Sequence, residues 1–277
     1  MQLSIITINY NNPEGLERTI HSVLSQTKMP YEYIIVDGAS TRGDVEIIKK
    51  YENSITKWVS ERDGGIYPAI NKGAKLATGD YCLFLNSGDT LYDDTVVSRI
   101  NNLQLSEDFF EGIANASGQI SYPPIKYTLG TFLYQRNPFH QASIIKRTMI
   151  LERPYDESYK IAGDLAFNIN NLVVHSCTYR PLNFVICNYE GGGRSATVEH
   201  SEEIKRIYSI FMPKIMEDYI DNRWLFQFPI KQILPFLHKI AKSVMLYKLK
   251  LFIKKMFNKP IGKSEYIELQ DRVVGKI

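Results

Sequence analysis

Short apolar runs and helical periods alternate through the first hundred residues. Residues 2–9, QLSIITIN, are apolar and rich in β-branched side chains, and predict a strand. Asn11, Asn12, Pro13 and Glu14 then supply a cap, a first-turn proline and an early acid. Leu16, Ile20, Val23 and Leu24 share one face of the helix that follows. YIIVD predicts a second strand ending on Asp37, DVEIIKKYE a short helix, and TKWVS a third strand. ERDGG reads as a loop, and IYPAINKGAKLA as a helix stopped by Gly79 and Asp80. YCLFL, starting at Tyr81, is the fourth strand.

Strands and helices alternating at this spacing predict βαβ units, hence an α/β fold with a mostly parallel sheet flanked by helices. Ligands of such sheets bind beyond the carboxyl ends of the strands. Asn9, Asp37, the segment Glu61 to Gly65 and the segment Asn86 to Asp89 all fall at those ends. Any one of them reads equally well as a polar turn; four in succession predict a binding edge. Beyond Phe109 the pattern weakens. Tyr122, Pro123 and Pro124 break it, and FHQASIIK reads as a loop entering a strand. YKIAGDLAFNINNLVVH has a helical period through Leu165, Ile169 and Leu172, with Asp164 near its start. TYRPLNFVICNY is a late strand, and EGGGRSA a flexible loop, because adjacent glycines lose much entropy on ordering.

Composition narrows the class. With 44% hydrophobic and 23% charged residues over 277 positions, the chain suits one large globular domain plus an appendage. Its three cysteines, Cys82, Cys177 and Cys187, lack metal-ligand spacing and fit a reducing compartment. No basic-then-apolar leader opens the sequence, and no uncharged apolar run approaches the roughly 18–20 residues that cross a bilayer. A cytoplasmic location follows as the expectation. The net charge of +3 is unevenly spread: residues 223–259 carry eight Lys, one Arg and no acid, which leaves −6 for the remainder.

The opening SIITINYNN, then VDGAS, SERDGGIYPAINKG and FLNSGD, together resemble the family-2 glycosyltransferases of GT-A fold, in the bacterial exopolysaccharide, capsule and O-antigen subgroup that includes the colanic-acid type. HQASII, YDESYKIAGDLAF and GGGRSA agree in order, so the resemblance spans about residues 1–197. It implies a catalytic domain over residues 1–221, with a donor half to about 105 and an acceptor half beyond, and a helical extension over 222–277.

What the resemblance implies for single residues is specific. Thr7, Asn9 and Tyr10 match the segment that cradles base and ribose, and Asp37 the acid that reads the uracil or ribose edge. A carboxylate accepts from an imide N–H or a sugar hydroxyl; the other reading of Asp37 is a strand-end turn. Asp63, Gly65, Asn71 and Lys72 match a block lining the diphosphate and sugar, in which relatives carry an acid where this chain has Pro68. Asn86, Ser87 and Asp89 match a DXD motif with Asn86 and Gly88 in two acidic slots. Asp89 alone would then recruit Mg²⁺ or Mn²⁺, with phosphate oxygens and water completing the shell. His140 and Gln141 match a pair near the acceptor entrance. Asp164 matches the general base of an inverting transfer, its alternative being a first-turn acid favoured by the helix dipole. Gly163 replaces a larger or acidic residue and is expected to leave room beside it. Asp93 and Asp94 are expected to cap the next helix.

The implied reaction moves a sugar from a nucleotide-sugar, UDP-linked before GDP- or dTDP-linked, to a saccharide carried on undecaprenyl diphosphate. Residues 224–258 interleave aromatic and aliphatic residues with lysine at near-helical spacing, which suits an anionic membrane surface on the inner face. The competing reading packs that helix on the catalytic domain or on a second copy of the chain, as a homo-oligomer. No groove-reading or stacking module accompanies the charge, which argues against nucleic acid. Two rival functions remain. One is a sugar-phosphate nucleotidyltransferase, disfavoured because YNNPEGLER lacks a convincing phosphate loop. The other is a non-catalytic membrane-associated scaffold, favoured by the incomplete acidic motif.

Overall fold

The computed structural model describes residues 2–211 except 105, 129–130, 133–136 and 192–197. The glycine-rich loop and the basic extension expected above lie outside the described residues. A compact unit covers Met1–Ile204.

Four strands follow the predicted pattern closely: β1 (Leu3–Asn9), β2 (Glu32–Asp37), β3 (Lys57–Ser60) and β4 (Tyr81–Asn86). They pair in parallel in the order β3-β2-β1-β4. Helices α1 (Pro13–Leu24), α2 (Asp44–Lys50) and α3 (Ile66–Leu76) connect them. The α1 start obeys its cap signal: Asn12 Oδ1 accepts from Gly15 N at 3.2 Å, with Pro13 in the first turn. Leu16, Ile20 and Val23 of α1 are fully buried in one cluster with Leu3 and Ile5 of β1. Each such side chain contributes about 1.5–3 kcal/mol by leaving water.

Beyond β4 the sheet turns mixed. A short β5 (Thr90–Leu91) and α4 (Val96–Asn101) follow. Asp93 accepts from Thr95 N at 2.9 Å and Thr95 Oγ1 at 2.7 Å just ahead of α4, whereas Thr95 itself holds the cap position. Then come β6 (Phe109–Ala116), β7 (Gln119–Ser121), β8 (Ser143–Lys146), α5 (Arg147–Glu152), α6 (Gly163–Asn168), β9 (Tyr179–Tyr189) and α7 (Ser201–Phe211). β8 runs antiparallel to both β4 and β6, while β6 and β9 are parallel, with a bulge near Glu111 and Ile113. The parallel character predicted from the first hundred residues therefore holds for one half of the sheet.

The helix predicted through Leu172 changes form partway. α6 ends at Asn168 and continues as π-helix over Ile169–Val174. Asn171, fully buried, donates through Nδ2 to Phe167 O at 2.9 Å. The widened turn lies beside this side-chain-to-carbonyl bond, and π-turns of this kind interrupt α-helices in short stretches.

Candidate active site

The register aligns the strand ends. Asn9 pairs with Asp37, Asp37 with Ser60, and Ile8 with Asn86. Beyond them lies a cavity of about 790 Å³. Asn9, Tyr10, Asp63 and Gly65 border it from the β1 and α3 side. Asn86, Ser87, Asp89, His140, Gln141 and Asp164 border it as well. Residues far apart in sequence thus meet around one space.

Four other predicted residues take different places. Thr7 is fully buried within β1, its hydroxyl 3.0 Å from that of Tyr33. Asp37 is also fully buried. Its Oδ1 accepts from Asn9 Nδ2 at 2.7 Å and Ser40 Oγ at 2.5 Å. Its Oδ2 accepts from Ser40 N at 2.9 Å and Ser60 Oγ at 2.6 Å. Four donors use the four lone-pair directions of a carboxylate, so none is left for a base or ribose. Asp37 instead fixes Asn9 at the cavity edge. Asn71 spends its side chain on a neighbouring loop: Nδ2 donates to Tyr155 O at 2.8 Å and Glu157 Oε1 at 3.0 Å, and Oδ1 accepts from Tyr155 N at 3.0 Å. Lys72 pairs with Glu61 at 2.9 Å and borders a separate recess of about 310 Å³ with Pro68. The helical period explains Lys72, since Tyr67 and Ile70 of α3 face the main cavity, whereas Asn71 shares the Tyr67 face and is diverted by its bonds to Tyr155.

Asp164 sits in the first turn of α6. Its Oδ1 accepts from Leu165 N at 2.9 Å and its Oδ2 from Asn137 Nδ2 at 2.8 Å. Asn137 is itself held by Asn168 Nδ2 at 2.9 Å. The Tyr67 hydroxyl lies 3.4 Å from Oδ1, but its proton goes to Ile161 O at 2.5 Å. Burial pushes the Asp164 carboxyl above the usual carboxylate range, and the hydrogen bonds offset only part of that. Raised proton affinity is what a general base needs. Glu203 braces the approach to Asp164 by accepting from Lys160 N at 2.7 Å, Ile161 N at 3.0 Å and Ala162 N at 2.8 Å.

The room expected beside Gly163 is not there. A Cβ at 163 would lie 2.7 Å from Tyr67 Cε2, so the Tyr67 ring fills that space. Tyr67 stacks on Tyr155 at 5.8 Å, and Tyr155 on Phe167 at 3.9 Å.

Asp89 is 4% exposed. Oδ1 accepts from Glu190 N at 3.1 Å and Oδ2 from Gln141 Nε2 at 3.0 Å. Burial pushes its carboxyl up to about 6. Asn86 Nδ2 lies 3.0 Å from His140 Nε2. Burial lowers the His140 imidazole to about 4, so at neutral pH it is uncharged and accepts from Asn86. Asn86 Oδ1 is buried without a hydrogen-bond partner.

These residues fit a hard divalent ion of the kind the resemblance implies. The Asp89 carboxylate keeps lone-pair capacity beyond its bonds to Glu190 N, Gln141 Nε2 and the Asn86 backbone, Asn86 Oδ1 is an uncommitted oxygen, and Mg²⁺ or Mn²⁺ completes its shell with phosphate and water. Among the described residues no group of three His, Cys, Asp or Glu forms a cage.

Several cavity residues escaped the sequence reading. Arg62 and Lys160 border the space and bring positive charge to it. Glu190 borders it from the end of β9. Arg62 precedes Asp63 in SERDGG, and Lys160 stands four residues before Asp164, so adjacency to quoted motifs was the available signal. Asn137, which holds Asp164 from outside the cavity lining, carried none.

Comparison with known proteins places the chain in a family and a fold. The family model described as Glycosyl transferase family 2 matches residues 4–109. A PGL/p-HBAD biosynthesis glycosyltransferase of Mycobacterium bovis (strain BCG / Pasteur 1173P2) is 29% identical over 213 residues, covering 74% of this chain and 83% of that protein. An uncharacterized glycosyltransferase of Mycobacterium tuberculosis (strain CDC 1551 / Oshkosh) is 31% identical over 205 residues, covering 69% and 76%. Among solved structures, S. aureus TarS 1-349 in complex with UDP-GlcNAc matches with a TM-score of 0.63 at 18% identity, over 76% of this chain. The chain spans 65% of that protein, just under two thirds. Mannosyltransferase PcManGT from Pyrobaculum calidifontis, in complex with GDP-Man and Mn²⁺, matches with a TM-score of 0.57 at 14% identity, over 99% of this chain and 85% of that one. The two structures share the GT-A fold with this chain. With a relative above 30% identity covering most of both sequences, the chain belongs to glycosyltransferase family 2.

Proposed function

We propose that this chain is an inverting hexosyltransferase that moves one sugar from a nucleotide-sugar, UDP-linked in the first instance, to a lipid-linked saccharide during surface polysaccharide synthesis. The observation that carries the reading is Asp164: a carboxylate of raised proton affinity, held by Asn137 and Leu165 N, bordering the same cavity as the strand ends.

The donor nucleotide would enter over Asn9 and Tyr10, with its diphosphate toward Asn86, Ser87 and Asp89. Asp164 would take the acceptor hydroxyl proton while that oxygen attacks the anomeric carbon from the opposite face. The anomeric C–O bond to phosphate breaks, and the nucleoside diphosphate leaves with the electron pair. Arg62 and Lys160 oppose the charge that develops there. A divalent ion, when bound by Asp89 and Asn86 Oδ1, would supply further positive charge to that diphosphate. Neutral His140 holds Asn86, and Gln141 holds Asp89, so this pair acts by orienting the phosphate-facing groups.

Two solved relatives of this fold carry different nucleotides, UDP-GlcNAc and GDP-Man with Mn²⁺, so the donor is best screened across both classes. Residues 1–221 form the catalytic part in this reading, and residues 224–258 hold it at the inner membrane face near an undecaprenyl-linked acceptor. Among the described residues no helix is long and apolar enough to cross a membrane.

The test is a panel of UDP-, GDP- and dTDP-sugars, with and without Mn²⁺, read by thermal shift and by nucleoside diphosphate release with a lipid-linked acceptor. One donor class should raise the melting temperature and be turned over. Absence of both nucleotide binding and turnover would overturn the reading in favour of a non-catalytic scaffold.

A further inference from the structure

The segment Asn86-Ser87-Gly88-Asp89 holds one carboxylate where the motif it matches holds more. The missing side chain at 88 leaves a gap, and the structure fills it from elsewhere. A Cβ at Gly88 would lie 2.2 Å from Glu190 Oε2, so the Glu190 carboxylate occupies the space that a residue-88 side chain would enter. Gly88 has φ +109°, a conformation that side chains other than glycine rarely adopt. The backbone there cannot readily carry its own acid.

Glu190 is locked to the same segment through its main chain. Its N–H donates to Asp89 Oδ1 at 3.1 Å, and its carbonyl accepts from Ser117 Oγ at 3.2 Å. Its Oε1 pairs with Arg18 of α1 at 2.5 Å, which leaves Oε2 on the Gly88 side. Glu190 and Asp89 border one cavity, and Asn86 Oδ1 is a buried acceptor without a partner in the same segment. Two carboxylates and an amide oxygen are a much stronger draw for a hard cation than one carboxylate alone.

We infer that Glu190, delivered from the end of β9, is the second acid of the diphosphate site, replacing in space the carboxylate that Gly88 lacks in sequence. The inference rests on the proposed donor reaction. It assigns Arg18 a different part: the guanidinium orients the Glu190 carboxylate and competes with the cation for its charge.

The experiment measures Mn²⁺ binding to the full chain with saturating UDP, by isothermal titration and by the Mn²⁺ electron paramagnetic resonance signal. UDP binding in EDTA is measured in parallel. Glu190 is half-exposed, so Glu190→Gln should fold as the parent does, and the melting temperature checks this. Glu190→Gln should weaken Mn²⁺ at least 10-fold with UDP binding in EDTA unchanged, and Glu190→Asp should fall between. Arg18→Gln should leave Mn²⁺ affinity equal or tighter. An Mn²⁺ affinity unchanged in Glu190→Gln but lost in Asp89→Asn overturns the inference alone. Equal loss in Arg18→Gln and Glu190→Gln also overturns it, because the ion pair would then act only as a brace. Failure of the parent chain to bind any of UDP, GDP and dTDP overturns the inference together with the proposed function; if GDP or dTDP binds and UDP does not, that nucleotide replaces UDP in the titrations.

Discussion

Gly163→Ala sets two physical effects against each other. Helix propensity favours the change: alanine in place of glycine in a helix stabilises by about 0.5–1 kcal/mol. Packing opposes it. The new Cβ would lie 2.7 Å from Tyr67 Cε2 and 2.9 Å from Tyr67 Cδ2 and Cζ, well inside contact distance. Tyr67 cannot swing away cheaply. Its ring stacks on Tyr155 with an interplanar angle of 10°, and its hydroxyl bonds Ile161 O. Overpacking of this kind costs about 1–3 kcal/mol. The clash should win, the mid-points of the two ranges leaving a net destabilisation of about 1 kcal/mol. At about 2–4 °C per kcal/mol for a domain of this size, the melting temperature should drop by several degrees. Asp164 is the adjacent residue, so strain relieved by moving α6 displaces the base. A shift near 1 Å costs up to about 100-fold in rate. The assay pairs thermal denaturation with kcat, and repeats both in a Tyr67→Leu background, where the alanine should be neutral or stabilising by up to about 1 kcal/mol. A melting temperature equal to or above the parent's, with kcat unchanged, would refute the claim that Tyr67 fills the space beside Gly163.

Three further outcomes follow from the same contacts. The raised Asp164 carboxyl should give kcat/KM an acidic limb above the ordinary carboxylate range near about 4, with activity rising as pH increases and the base ionises; a limb at or below that value contradicts the burial of Asp164. For stability the sign is opposite: the folded state holds this proton more tightly, so the Asp164 contribution declines as pH rises through its folded value. Glu203→Gln removes a carboxylate that accepts three backbone N–H groups, and should destabilise by about 2–3 kcal/mol with kcat falling through loss of the brace before Asp164; unchanged denaturation curves would contradict this. EDTA should weaken nucleotide binding while leaving the melting temperature of the ligand-free protein within about 1 °C, because no ion-binding cage organises the described fold.

The first half of the sheet was readable because its signals are local. Each strand from β1 to β4 is an apolar run closed by a polar residue, and α1 carries its own cap. The second half was readable in part: β8 and β9 fall where FHQASIIK and TYRPLNFVICNY predict strands, while β6 and β7, ahead of Pro123 and Pro124, were not foreseen, and the antiparallel and parallel partners of β6 lie tens of residues away. The site was legible at the level of segments and less so for single residues. Asp37 matches a donor-reading acid of the resembled family, yet it is saturated by Ser40, three residues on as its turn reading allows, and by Asn9 and Ser60 from the strands on either side. Lys72 and Asn71 belong to a motif block, but the helical period turns Lys72 away from Tyr67, and Asn71, on the Tyr67 face, is taken up by the Tyr155 backbone. Gly163 looked like an opening because the ring that fills it comes from residue 67.

The central claim is that Asp164 takes the proton in a direct transfer. It is tested most directly by Asp164→Asn, which keeps the shape of the side chain and removes its basicity. Donor affinity, measured by titration of the nucleotide-sugar that the screen identifies, should stay within about threefold of the parent, and kcat for transfer should fall about 10²–10⁴-fold. Transfer at the parental rate by a folded Asp164→Asn variant would contradict the account.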